Sequence, residues 1–348
     1  MKNILLILVG GTICTALNEE GNLAVDEKAG VLLVENYKQS NSPYASEVHI
    51  EPTENLYMLS ESMTIAKWNR ILETYRTHTA NKKYDGIILA HGTDTLAYSA
   101  ALFSMLLCDT DVPVFFVSAN ENLMSARSNG NENFACAVEC ICRGITPNVY
   151  VSYKNLSDGK MYLHLASRLR QCENYSEDFY SVGAVDLSEM TAEDYKQCFP
   201  KRDRKKGYDF LGKGNLEECV LFLVPYVGIN YGSYDYKKFK AVLHGTFHSG
   251  TACVDEGEQS VLYMLDSCFR AKSPIDVYFS PTVYRSGTYE TISFIGNHKV
   301  NGYKAHFMNG CTNEMAYVKL VIAYSMLNEE ERKLFLESEC NFENCYIE

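Results

Sequence analysis

Apolar residues follow two recurrent patterns along this chain. Short unbroken apolar runs indicate buried strands, and stretches with apolar positions every three or four residues indicate helices. The runs Ile4 to Val9, Gly86 to Ala90, Val114 to Ser118 and Val149 to Tyr153 are the expected strands of the first half. Between them, Ile65, Trp68, Ile71, Leu72 and Tyr75 share one helical face, and further helices are expected from Leu96 to Leu107 and around Phe134 to Cys142. Continuous apolar strands alternating with helices specify parallel βαβ units whose sheet is covered on both faces. The expected fold is α/β, a doubly wound, mostly parallel sheet.

The pattern breaks between Phe199 and Asn215, where Lys201-Arg202-Asp203-Arg204-Lys205-Lys206 precedes glycines at 207, 212 and 214. A solitary basic run of this kind, set among glycines, suits a solvated linker. A second, smaller α/β domain is expected beyond it, with strands at Val220 to Val224, Ala241 to His244 and Ile275 to Phe279 and a helix from Thr312 to Leu327. Asn328 followed three residues later by Glu331 marks the start of a short charged helix. A chain of 348 residues exceeds the usual size of one core. The expected division is a domain over 1–198, a linker over 199–217 and a domain over 218–348.

A formal net charge of −12 opposes attraction to nucleic acid or anionic lipid, so neither is an expected partner. The apolar run at Ile4 to Val9 is too short for a secretory signal, and no run approaches the ~20 apolar residues of a membrane span. Thirteen cysteines without the dense spacing of a disulfide scaffold indicate buried, reduced thiols and a cytoplasmic location. Cys136, Cys140 and Cys142 with His244 and His248 lack paired Cys-x-x-Cys spacing, so no metal site is expected. Neither a dinucleotide-binding glycine fingerprint nor a phosphate loop follows the first strand. No cofactor is expected.

Two strands end in motifs that carry chemistry. Leu5-Leu6-Ile7-Leu8-Val9 leads into Gly10-Gly11-Thr12-Ile13, and Gly86-Ile87-Ile88-Leu89-Ala90 leads into His91-Gly92-Thr93-Asp94-Thr95. Parallel α/β sheets bind ligands beyond the carboxyl ends of their strands, which brings both threonines to one crevice. A threonine hydroxyl is a nucleophile once a neighbouring base assists it. Asp94 also reads as a helix cap for the segment that follows.

Together these motifs resemble the bacterial-type L-asparaginase family. Further echoes run through Leu59-Ser60-Glu61-Ser62-Met63-Thr64, Pro113 to Ala119, His248-Ser249-Gly250-Thr251 and Thr312-Asn313-Glu314-Met315, so the resemblance covers roughly Asn3 to Met326. It implies that Thr12 is the nucleophile, and that Thr93 assists proton transfer or places water. It also implies that Asp94 holds the substrate's α-ammonium group, with Ser60 on the α-carboxylate and Glu61 on the α-amine. Gly11, Gly92 and Ala119 complete the implied substrate-binding set. The implied activity is hydrolysis of the side-chain amide of asparagine or a related small amide, by a homodimer or homotetramer.

The chain departs from the family at three places. Where the family carries a flexible-loop tyrosine about ten residues after the first threonine, this chain has Asn22. Where the family lysine completes the second cluster, this chain has Gln171, or Arg170 if the register slips by one. Neither residue replaces a lysine base, because arginine stays protonated and glutamine only hydrogen-bonds. Lys154 and Lys160 are the nearby candidates to substitute. His248-Ser249-Gly250-Thr251 stands where the family presents an asparagine to a neighbouring subunit. These departures motivate a second reading, a catalytically impaired relative that binds an amino acid as a sensor or partner subunit. A third is a hydrolase for a different amide or ester.

Overall fold

Strand β1 (Lys2–Leu8) lies one strand in from the edge of a seven-stranded sheet, and its residues from Ile4 onward are buried. The computed structural model describes residues 1–348 except 18–22, 26, 188–193, 195–209, 283–288 and 346–348. The expected linker over 199–217 therefore lies, from 199 to 209, outside the described residues, as does Asn22. The chain divides into two compact units, Met1–Lys213 and Gly214–Glu348.

In the first unit, β1 pairs in parallel with β2 (Val48–Pro52) on one side and β3 (Gly86–Ala90) on the other. β4 (Val114–Val117) and β5 (Val149–Lys154) continue the parallel sheet, and β6 (Met161–Leu165) and β7 (Val185–Asp186) finish it antiparallel. The parallel order is 2-1-3-4-5. The chain leaves β1 toward one edge and returns on its other side at β3, so the switch point of this doubly wound sheet falls between the carboxyl ends of β1 and β3. Both threonine motifs follow those two ends.

Helix α1 (Ile65–Thr79) buries the face read from the sequence: Ile65, Trp68, Ile71, Leu72 and Tyr75. Thr64 caps it by accepting the Lys67 N–H at 3.3 Å, and the Trp68 indole N–H donates to Ser99 at 2.9 Å on α2 (Leu96–Leu106). Helix α3 (Gly130–Arg143) begins a turn earlier than the apolar periodicity indicates. Its first turn is polar because Asn133 is used internally: its amide donates to the Ser118 carbonyl at 2.9 Å and accepts the Lys154 N–H at 2.7 Å. On this helix Cys140 is buried, whereas Cys136 and Cys142 are partly exposed, as are Cys108, Cys172, Cys253 and Cys345 elsewhere, which corrects the expectation that the thiols are buried throughout.

The second unit is a four-stranded parallel sheet in the order β8 (Val220–Leu223), β9 (Ala241–Gly245), β10 (Asp276–Thr282) and β11 (His306–Asn309). Its core gathers Leu223, Val242, Leu265, Phe269 and Phe279 with the apolar face of α4 (Val261–Phe269). Helix α5 (Asn313–Met326) is almost wholly buried and carries Lys319, whose ammonium meets Glu343 at 2.8 Å. Burial works against both charges. Their attraction and the backbone N–H groups of Cys340 and Asn341 on Glu343 prevail, holding Lys319 above and Glu343 below their ordinary pKa. Helix α6 (Glu329–Glu337) carries the full capping box between Asn328 and Glu331.

Candidate active site

Leu8 stands beside Ala90 in the register of β1 and β3, so the chain leaves both strands side by side. The two turns then touch through their backbones. Gly11 adopts φ +78°, and a Cβ on it would lie 2.1 Å from the Gly92 Cα. A Cβ on Gly92 would lie 2.4 Å from the Ser60 hydroxyl and 3.1 Å from the Gly11 Cα. No side chain fits at either position, so glycine is what lets Thr12 and Thr93 stand one residue away from a backbone contact. Thr12 opens a short 3-10 turn and is half-buried, and Thr93 opens the corresponding turn before α2.

The 56–60 segment closes one flank. Gly11 N–H donates to the Met58 carbonyl at 3.1 Å and Met58 N–H to the Val9 carbonyl at 3.0 Å, so this segment runs along the extension of β1. It delivers a buried Ser60, whose hydroxyl donates to Asp94 Oδ2 at 2.8 Å. The Thr95 hydroxyl donates to the Ser60 carbonyl at 3.0 Å, tying the two turns together. Asp94 is thus engaged by Ser60. Asp94 lies inside the 3-10 turn Thr93–Thr95 and Thr95 takes the cap position of α2, so Asp94 is not the cap residue expected from the sequence.

Burial pushes His91 down to about 4, against its hydrogen bond to the Gly92 carbonyl and the charge of Asp94. The ring is neutral at physiological pH and donates Nδ1–H to that carbonyl at 2.8 Å. Cys14, two residues past Thr12, is wholly buried and pushed up to about 12, so it stays a thiol. The hydroxyls are the available nucleophiles at this rim.

A pocket of about 550 Å³ opens beside Thr93 and Asp94, bounded by Asn120, Tyr153, Gln171, the stretch from Cys172 to Glu177, and Phe179. Gln171 meets Thr93 directly, its Nε2 donating to the Thr93 carbonyl at 2.8 Å. Arg170 is exposed and lines a separate, smaller pocket together with Gln171. Lys154 and Lys160 do not supply a substitute base here: Lys154 pairs with Glu132 and Lys160 with Asp186, each at 2.7 Å, and neither borders the pocket. Glu61 shares the Ser60 turn but is exposed and away from the pocket, and Ala119 is buried just before the bordering Asn120. Sequence reasoning did not single out Asn120, Tyr153, Glu173 or Glu177. They come from distant segments that the fold joins through the Asn120 amide bond to Glu177, at 3.2 Å across 57 positions, and the edge-on contact of Tyr153 with Phe179 at 4.8 Å.

A doubly wound α/β protein that sets two threonine turns against each other at its switch point has the asparaginase-like architecture. The chain belongs to the asparaginase family: the family described as Asparaginase, N-terminal matches residues 3–197. Over the whole chain the fold matches solved L-asparaginases. The thermostable L-asparaginase of Thermococcus kodakarensis superposes with a TM-score of 0.70 at 19% identity, covering 98% of each chain. L-asparaginase I of Vibrio cholerae does so with a TM-score of 0.68 at 20% identity, also covering 98% of each. Among sequence relatives, a glutamyl-tRNA(Gln) amidotransferase subunit of Methanothermobacter thermautotrophicus is 27% identical over 66% of this chain and 52% of its own length. Its counterpart in Archaeoglobus fulgidus, named as the same amidotransferase subunit, is 25% identical over 77% of this chain and 65% of its own length. The chain thus spans about half to two-thirds of these relatives.

Proposed function

We propose that this chain binds a small amino-acid amide between Thr12, Thr93, Asp94 and Ser60 and releases its amide nitrogen slowly, as an amide-processing subunit rather than a fast free-standing asparaginase. One observation carries the reading. The two glycine-threonine turns touch beside a Ser60–Asp94 pair, while the residue on Thr93 is a neutral glutamine. In this scheme the Thr12 hydroxyl oxygen bonds to the amide carbon and the C–N bond breaks. The hydroxyl proton leaves with the nitrogen as ammonia, and water then cleaves the Thr12 ester. The scheme assigns stabilisation of the developing oxyanion to backbone N–H groups of the turns. The Asp94 carboxylate supplies a charge-assisted contact to an α-ammonium group.

Replacing a titratable lysine by Gln171 removes a group able to assist proton transfer, an effect worth 10²–10⁴-fold in typical enzymes, or roughly 3–5 kcal/mol. The ligand-holding pair Ser60–Asp94 is intact, so binding is expected to outlast turnover. The relatives named as amidotransferase subunits support a subunit role. The net charge of −12 and the partial coverage of those relatives leave RNA recognition outside the reading.

The test measures ammonia release from asparagine, glutamine and a panel of small amides, alongside the melting shift that aspartate induces, for the wild type and Thr12→Ala. Slow release abolished by Thr12→Ala, with a clear aspartate-induced shift, is the expected result. Turnover that persists in Thr12→Ala removes that hydroxyl from the mechanism. Absence of both release and shift sinks the reading.

A further inference from the structure

The N-terminus of α2 is capped from far along the chain. Its first N–H groups need acceptors, and Thr95, the residue before it, offers none because its hydroxyl is turned to the Ser60 carbonyl. Gln171 fills the gap across 74 positions, its Oε1 accepting the Ala97 N–H at 3.2 Å. The same side chain donates Nε2–H to the Thr93 carbonyl at 2.8 Å. One uncharged amide therefore bridges the residue that opens the turn to the first turn of the helix it feeds.

We propose that Gln171 is a positioning residue for the candidate site, clamping Thr93 by its own carbonyl and so setting the direction of the Thr93 hydroxyl, without itself taking or giving a proton. A carbonyl held at one end of the turn and a helix N–H held at the other leave Thr93 little freedom to rotate. Both polar atoms of the amide are needed: the acceptor anchors the clamp to α2 and the donor holds Thr93. The inference rests on the reading of Thr12 and Thr93 given above.

Gln171→Leu removes both bonds at similar volume. Gln171→Glu keeps an acceptor for Ala97 but, when ionised, sets an oxygen against the Thr93 carbonyl; once protonated, it donates to that carbonyl again. With the full chain, kcat and KM are measured per folded molecule across a range of pH, and amide exchange is followed over residues 92–100. Gln171→Leu is expected to lower kcat on the order of tenfold or more while KM changes little, and to speed exchange at Ala97. Gln171→Glu is expected to be equally slow near pH ~8 and to recover relative to the wild type as its carboxyl protonates.

If exchange at Ala97 is unchanged in Gln171→Leu, the clamp does not exist. If exchange quickens but kcat stays within about twofold, Gln171 is a helix cap alone and the proposal falls. A wild-type chain that hydrolyses no amide shifts the fault to the catalytic reading. The side-chain rotamer of Thr93 then decides the clamp: an Hα–Hβ coupling that becomes rotamer-averaged by NMR in Gln171→Leu upholds it, and a coupling unchanged from the wild type overturns it.

Discussion

Replacing Gly11 with alanine tests whether backbone contact between the two turns builds the site. Gly11 has φ +78° and ψ −175°, a region open in practice to glycine alone. Another residue held there costs ~1–3 kcal/mol. Its Cβ would also lie 2.1 Å from the Gly92 Cα and 2.4 Å from the Gly92 nitrogen, where carbon atoms rest at ~3.5–4.0 Å. The neighbour is backbone, so one turn must retreat by more than ~1 Å, and overpacking of this kind costs ~1–3 kcal/mol. The sum is ~2–6 kcal/mol. Gly144 at the end of α3 provides the control, with the same φ of +78° at ψ 44° and open space around it. Its alanine variant bears only the left-handed penalty of ~1–2 kcal/mol. In a unit of this size 1 kcal/mol corresponds to ~2–4 °C, so Gly11→Ala is expected to melt several degrees below Gly144→Ala. Because a ~1 Å displacement of reacting groups costs up to ~10²-fold, Gly11→Ala should also lose ammonia release and the aspartate-induced shift, which Gly144→Ala retains. Calorimetric melting with and without aspartate reads both quantities. Equal midpoints and an undiminished aspartate response in Gly11→Ala would refute the claim that contact between the turns makes the site.

Ser60→Ala removes the 2.8 Å bond to Asp94, so aspartate affinity should fall on the order of tenfold with little change in melting temperature, as titration calorimetry would show. His91 and His164 are held neutral by burial, at about 4 and about 3. The unfolded chain therefore binds protons that the folded one refuses between pH ~6.5 and those values, and stability should fall as pH drops through that window. Melting temperatures that stay flat from pH ~7 to ~4 would contradict this. Lys319→Met leaves Glu343 buried and unpaired, so the second unit should lose ~3–5 kcal/mol in a denaturant titration.

What the sequence by itself determined is local. The strands before each threonine, the buried face of α1 and the Asn328–Glu331 capping box all rest on residues within a few positions of one another, where periodicity and capping chemistry act. The pairing of Gly11 with Thr12 and of Gly92 with Thr93 was legible for the same reason, and the order of strands then forced both to the switch point. The polar first turn of α3 escaped notice because Asn133 is buried against Ser118 and Lys154, partners that no periodicity reveals. The tertiary structure alone decided which long-range partners meet. It joined Ser60 to Asp94 across 34 positions, sent Lys154 to Glu132 and Lys160 to Asp186, and assigned the capping of α2 to Gln171 rather than to Asp94. Such choices depend on how strands β1 and β3 lie side by side and where the 56–60 and 171–179 segments return to their rim. A glutamine or a serine has the same local chemistry wherever it stands, and only the packing of distant segments selects the single donor or acceptor it reaches.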